Sequence, residues 1–246
     1  MSNFVTSTES WLAAVVEQRL QWDKVDLKFA KAFSTKYTSE DIWELAVNYR
    51  VARNFPKEIR MRFEKEFQGV EISSYDEFVR TSRKLAKNIK NSGNNEVRTS
   101  RPLSGVSKLL WHRFPEHGFI YDALALNAVL SNGFVAPYVS SLKNWGGVSS
   151  NDPHEWHFLI FAAAYQKFFR PFVDPLAKAM RHRDRKRQQA YRVVDKLLWI
   201  TGQQEEKRRR ILKERTKLAT AQDREIAYIA CAEAKKILGG GPTGLL

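Results

Sequence analysis

A lone carboxylate stands at the start of an apolar segment near the middle of the chain. Asp122 follows the loop PEHGFIY and precedes ALALNAVL, a stretch of good helix formers. This order places Asp122 at or near a helix N-cap, where its carboxylate can accept backbone N–H bonds. A half-buried carboxylate can also stabilise positive charge that develops on a bound substrate. The local residues favour the N-cap, and the two roles are compatible.

A second candidate site lies just upstream, in the stretch RPLSGVSK. We interpret Gly105 as a tight turn between two helices, with Lys108 opening the second helix. Backbone N–H groups of Gly105, Val106 and Ser107 would then point outward and hold a phosphate, assisted by the helix dipole and by the Lys108 ammonium. The alternative is an ordinary turn glycine beside a solvated lysine.

His154 and His157 lie one helical turn apart, with Glu155 between them. No third ligand of the kind that a zinc site requires is evident in the pattern. We therefore interpret these residues as core or surface histidines. We expect neither a metal nor another cofactor.

The segments that must position these residues read as helices from end to end. Apolar residues recur at helical spacing, and no run alternates in the manner of a strand. Ser74 and Glu77 have capping-box spacing, and Gly202 ends the segment YRVVDKLLWITG. Within this segment Asp195 is expected to form a buried ion pair with Arg192 or another arginine. HEWHFLIFAAAYQKFFRPF is apolar on most faces and predicts a central core helix. The fold class is therefore all-α.

The stretch NSGNNEVRTSRP, residues 91–102, is the best candidate for a boundary. We expect a helical subdomain at residues 1–92, a second helical region at residues 93–238 and a disordered tail at residues 239–246. The uncharged run of residues 123–142 contains Gly133 and Pro137, which predict two helices joined by a turn rather than a membrane span. A single cysteine, Cys231, excludes an internal disulfide and favours the cytoplasm.

The charge balance favours an anionic partner. Lys and Arg number 41 against 27 Asp and Glu, a net charge of +14. Nucleic acid is the commonest partner of so basic a protein. The arginines at positions 181, 183, 185 and 187 are either a phosphate-contacting face or a solvated one, and the residues do not decide between them.

The order of these features resembles that of the helix-hairpin-helix DNA glycosylases. The order is an apparent helix, turn and helix around Gly105, then the Gly/Pro-containing loop, then Asp122 at a helix start. The similarity is closest to a bacterial branch described as 8-oxoguanine glycosylase-like, through SKLLW, IYD and VVDKLLWITG, and covers roughly residues 100 to 202. It implies two helical subdomains, a helix-hairpin-helix motif and a DNA-binding cleft. It also implies that Asp122 is catalytic and that Gly105, Val106 and Ser107 hold the DNA backbone, and we assign Lys108 to a phosphate contact.

The resemblance thus implies a monofunctional enzyme that flips a modified base out of duplex DNA and hydrolyses its N-glycosidic bond. The base would be an oxidised one such as 8-oxoguanine, excised in repair, or a hypermodified phage base, excised in antiviral defence. We expect a monomer that acts on duplex DNA and no membrane partner. One alternative is a non-catalytic helical DNA-binding protein, and another is a scaffold whose basic face meets an acidic protein.

Overall fold

The computed structural model of the protein describes residues 4–33, 37–51, 57–92, 102–134, 145, 153–180 and 185–239. The regular secondary structure of these residues is entirely helical, with no strand, which confirms the predicted all-α class. The helices are α1 Thr8–Gln21, α2 Leu27–Ala32, α3 Ser39–Asn48, α4 Lys57–Gln68, α5 Tyr75–Ser92, α6 Pro102–Arg113, α7 Ala123–Ser131, α8 Pro153–Ala164, α9 Val173–Ala179, α10 Lys186–Thr201, α11 Glu205–Lys217 and α12 Ala221–Gly239.

The chain forms two compact units that are not consecutive in sequence. The terminal unit comprises residues 1–22, 123–136 and 164–246, and the central unit comprises residues 23–122 and 137–163. The predicted division between residues 92 and 93 does not coincide with these units, because α1 packs against α10, α11 and α12 at the far end of the chain. Of the predicted tail, Gly239 is the last residue of α12, and residues 240–246 lie outside the described part.

The core of the terminal unit is built on α1 and α10. Residues 10–18 of α1 are all buried, and the Trp11 indole donates a hydrogen bond to the carbonyl of Val5 at 2.7 Å. Two buried amide side chains of this core are paired with each other, since Gln18 donates to Gln189 at 3.1 Å across the two helices. The predicted buried ion pair between Arg192 and Asp195 is present. A core that buries polar groups in this way depends on their partners being in place.

Gly202 follows α10 as its C-cap, as the sequence predicts. Its backbone is right-handed, with φ of −74°, so the residue is not required there for a left-handed turn. The requirement is space, because a Cβ atom at this position would lie 1.8 Å from the carbonyl oxygen of Leu124. The close approach of two backbones therefore explains the glycine.

The central unit has an aromatic core around Phe119. The rings of Tyr75, Phe78, Phe158 and Phe161 lie 5.3 to 5.6 Å from the Phe119 ring, centroid to centroid. Phe158 and Phe161 belong to α8, the helix that its apolar sequence predicts to be central, and both are fully buried. Tilted ring contacts at this distance stabilise a core beyond the area that they bury.

The uncharged run begins as predicted, with α7 followed by a turn in which Gly133 has φ of +73°. The continuation over residues 135–144 lies outside the described residues. No helix in the described parts of the chain is long and apolar enough to cross a membrane.

Candidate functional site

Asp122 directly precedes Ala123, the first residue of α7, and thus occupies the predicted N-cap position. The residue is half-buried. The first turn of α7 contains no acidic residue, so Asp122 is the carboxylate nearest in sequence to the positive end of this helix. A carboxylate at a helix start is held by backbone geometry, because its short side chain has few conformations.

The residues before Asp122 are attached to α6 by a buried hydrogen bond. The backbone N–H of Tyr121 donates to Oγ of Ser107 at 3.2 Å, and the Ser107 hydroxyl donates in turn to the carbonyl of Ser104 at 3.2 Å. The Tyr121 ring packs edge-on against Phe158 with its centroid 5.3 Å away. Asp122 directly follows Tyr121 in sequence, and Lys108 directly follows Ser107. The hydrogen bond between Tyr121 and Ser107 therefore joins the two segments that carry these charged residues.

Lys108 lies on the buried side of α6 and is 5% exposed. Its ammonium donates to Oγ of Ser104 at 3.0 Å and lies 5.8 Å from the centre of the Tyr49 ring, within the range of a cation–π interaction. A surface phosphate would not reach an ammonium in this position. The predicted phosphate contact of Lys108 is therefore not supported by the position of its side chain.

Tyr49 connects Lys108 to a further polar cluster that the sequence does not reveal. The Tyr49 hydroxyl donates to Oδ1 of Asp26 at 3.1 Å, and Nε2 of His112 lies 3.0 Å from the same hydroxyl. Asp26 and His112 are almost fully buried. Asp26, Tyr49 and α6 are separated along the chain, so no motif or spacing could have grouped them. The cluster brings an acid, a phenol, an imidazole and an amine together in the central unit.

The helix that carries these groups is anchored at its C-terminal end by Arg113. The guanidinium donates to the hydroxyl of Tyr37 and to the carbonyl of Phe67, both at 2.7 Å. Burial raises the pKa of Tyr37 to about 12, although the adjacent Arg113 charge acts in the opposite direction. Tyr37 is therefore neutral at physiological pH and accepts the arginine hydrogen bond as a phenol.

The predicted turn at Gly105 is wrong. Residues 102–113 form one continuous helix, α6, with Pro102 at its first position, which proline favours. Gly105, Val106 and Ser107 are buried in it, and from Val106 onward the N–H groups are directed along the helix to carbonyls four residues back. A glycine costs a helix about 1 kcal/mol relative to alanine, and burial of neighbours such as Val106 and Leu109 offsets it. The helix-hairpin-helix phosphate grip is therefore absent from this stretch.

The four predicted DNA-binding arginines are only partly described. Arg181 and Arg183 lie outside the described residues. Arg185 precedes α10 with a left-handed backbone, φ of 49°, and is exposed. Arg187 is also exposed and forms an ion pair with Asp174 at 2.7 Å. The described part of this cluster thus offers two exposed arginines, of which Arg187 is paired with a carboxylate of the same unit.

The glutamate between the two histidines at the start of α8 is already hydrogen-bonded to an arginine. Glu155, between His154 and His157, accepts a hydrogen bond from Nε of Arg83 at 2.6 Å. Among the residues that the structure describes, no group of three or more His, Cys, Asp or Glu side chains is arranged to hold a metal ion.

Comparison of the chain with protein families, with curated proteins and with solved structures finds no match.

Proposed function

We propose that this protein is a DNA glycosylase that uses Asp122 as its catalytic carboxylate. The observation that carries the proposal is the position of this residue: a half-buried carboxylate at the start of α7, attached through Tyr121 to the buried face of α6. The net charge of +14 supports a polyanionic substrate. Because α6 is one continuous helix, the chain lacks the predicted hairpin at Gly105. The position of Asp122 at the start of α7 does not depend on that hairpin.

The chemistry suits a carboxylate in this position. Cleavage of an N-glycosidic bond builds positive charge on the sugar, in an oxocarbenium-like transition state related to that of glycoside hydrolysis. A carboxylate held beneath the sugar stabilises that charge and orients the attacking water. The helix start and the Tyr121–Ser107 bond hold the backbone of Asp122 before the substrate arrives, and preorganisation of this kind is the main source of electrostatic catalysis.

The substrate is a base that leaves the duplex before it is released. An oxidised purine such as 8-oxoguanine is one candidate, and a hypermodified phage base, such as a decorated cytosine, is the other. The first would make the protein a repair enzyme and the second an antiviral one. In either case water completes the reaction, so the enzyme is monofunctional and leaves an abasic site.

The test is base release from a DNA panel, with the wild type beside Asp122→Asn. The panel contains ordinary, 8-oxoguanine and uracil duplexes and phage genomes with modified cytosines, and mass spectrometry identifies the freed base. We expect release from one substrate to fall by a factor of about 10² to 10³ in the variant, with DNA affinity unchanged, because asparagine keeps the cap and removes the charge.

Asp23→Asn is the matched control, because Asp23 is an exposed carboxylate outside the candidate site. Its base release should equal that of the wild type. Equal release by Asp122→Asn and the wild type would refute the catalytic role of Asp122.

A second candidate is a non-catalytic helical DNA-binding protein in which Asp122 only caps α7. The observation that favours it is the exposed basic surface of α11, where seven Lys and Arg stand against three Asp and Glu. Tight DNA binding with no base released from any member of the panel would favour this candidate over the glycosylase.

A further inference from the structure

Helix α11 presents a row of basic side chains away from the protein. The row consists of Arg209, Arg210, Lys213 and Lys217, and all four residues are exposed. The side chains of Arg209 and Arg210 are 77% and 69% exposed. We call these four residues the α11 basic row. In the sequence, Glu205 and Glu206 lie four residues before Arg209 and Arg210, a spacing that favours a solvated helix.

Helical geometry places the α11 basic row on one side. At 3.6 residues per turn the four side chains fall within about 100° of arc, and Arg209 and Lys217 are about 12 Å apart along the axis. The opposite side carries Ile211, which is 7% exposed, and Arg215, which donates to Glu17 of α1 at 2.5 Å. The buried side therefore holds α11 against α1 and leaves the basic row directed outward.

The acidic residues of α11 neutralise the row only in part. Glu205 accepts hydrogen bonds from both Arg208 and Arg209, and Glu214 lies 3.9 Å from Arg210. These pairs are exposed, and such pairs contribute at most about 1 kcal/mol each, so a phosphate can replace the glutamate at low cost. A phosphate can also accept two N–H groups of one guanidinium in a bidentate pair, as a carboxylate can.

We propose that the α11 basic row binds the phosphate backbone of DNA. The proposal rests on the DNA-binding part of the proposed function and is independent of base release. Nucleic acid fits better than a lipid surface, because a membrane-binding helix needs an accessible apolar face and the Ile211 side of α11 is covered. The row would provide the phosphate contacts that the continuous α6 helix does not.

The test replaces the row with glutamine, as R209Q/R210Q/K213Q/K217Q, and measures affinity for a short labelled DNA duplex by fluorescence anisotropy at several salt concentrations. We expect the slope of log affinity against log salt to flatten by about 0.9 for each phosphate that the variant no longer neutralises. Because the four side chains are exposed, the circular dichroism spectrum should not change.

A control of equal charge is available on the central unit, as K65Q/R80Q/K84Q/K87Q, where all four residues are exposed. Its slope should remain that of the wild type. An unchanged slope in the α11 variant, or an equal change in the control, would overturn the proposal, since the first shows that the row contacts no phosphate and the second that only net charge matters.

The same experiment separates this proposal from the proposed function. If Asp122-dependent base release persists and the α11 variant keeps the wild-type slope, the glycosylase stands and the row is not its DNA-binding surface. If the wild type binds anionic lipid vesicles but no DNA, both proposals fail.

Discussion

Ser107 illustrates how one buried hydroxyl joins distant parts of the site. It accepts the N–H of Tyr121 and donates to the carbonyl of Ser104, both at 3.2 Å, so a single small side chain links the segment before Asp122 to α6. The residue is fully buried. The sequence predicts a phosphate contact for Ser107, whereas its position in the structure supports the backbone of the site.

Gly118 provides a prediction at the same scale. A Cβ atom added there would lie 2.1 Å from the Phe78 ring, which is fully buried and packs on Phe119. A displaced ring would have to repack against the core, so Gly118→Ala should lower the free energy of unfolding by about 1–3 kcal/mol. Urea unfolding of the two proteins measures the difference.

Gly69→Ala is the matched control, because a Cβ atom at that exposed glycine would meet nothing within 4 Å. It should leave the free energy of unfolding within about 0.5 kcal/mol of the wild type. If Gly118→Ala were as stable as this control, the close packing of Phe78 against the backbone at residue 118 would be incorrect.

At the scale of the element, the start of α5 allows the predicted capping box to be compared with the observed hydrogen bonds. The N–H of Glu77 donates to Oγ of Ser74 at 3.2 Å, which is the N-cap bond that the spacing predicts. The return bond differs: the Glu77 carboxylate accepts from the N–H and the hydroxyl of Ser73, at 2.8 and 2.9 Å, rather than from Ser74. The sequence thus predicts the cap and misplaces its reciprocal bond by one residue.

These bonds predict a pH dependence. The hydrogen bonds from Ser73 lower the pKa of Glu77 below its ordinary value of 4.5, so its ionised form stabilises the folded state above that pH. The contribution is lost as the pH falls through the lowered pKa. Glu77→Gln should therefore be less stable than the wild type at pH 7, and the difference should shrink towards zero in acid. Thermal unfolding measured across the acidic range tests this prediction.

Glu71→Gln is a suitable control, since Glu71 is an exposed glutamate just before the same helix. Its stability should follow that of the wild type at every pH. A Glu77→Gln deficit that persisted at the lowest pH would show that the carboxylate charge is not the cause.

At the scale of the whole molecule, each compact unit is assembled from segments that are far apart in the chain. The terminal unit combines the first 22 residues with residues 123–136 and 164–246. Within it α1 contacts three helices from the last third of the chain, and Arg19 bonds Asp223 at 3.0 Å. A fragment taken at the predicted boundary would therefore lack a principal helix of this core.

Removal of residues 1–22 tests this assembly. We expect amide hydrogens of α10 and α12 to lose their protection from exchange, because deletion of α1 exposes the side of each helix that it covers. Protection in α5 and α6 should persist, since both belong to the central unit. Hydrogen exchange monitored by mass spectrometry measures the protection of all four helices. The full-length Glu9→Gln variant is the control. Unchanged protection in α10 would contradict the packing described for α1.

The sequence by itself determined the features that depend on residues close together in the chain. The all-α class, the N-cap of α5, the end of α10 at Gly202 and the Arg192–Asp195 pair all follow from neighbours within about one helical turn, which are in contact whenever the helix forms. The position of Asp122 before α7 belongs to the same group.

Only the tertiary structure decided the rest. Gly105 is compatible with a turn or with a helix, and burial of its neighbours favours the continuous α6 helix. The same burial removes Lys108 from the surface and joins it through Tyr49 to Asp26 and His112. The interleaved units arise likewise from packing between segments far apart in the chain. Such contacts depend on the shapes of whole helices, which no local pattern specifies.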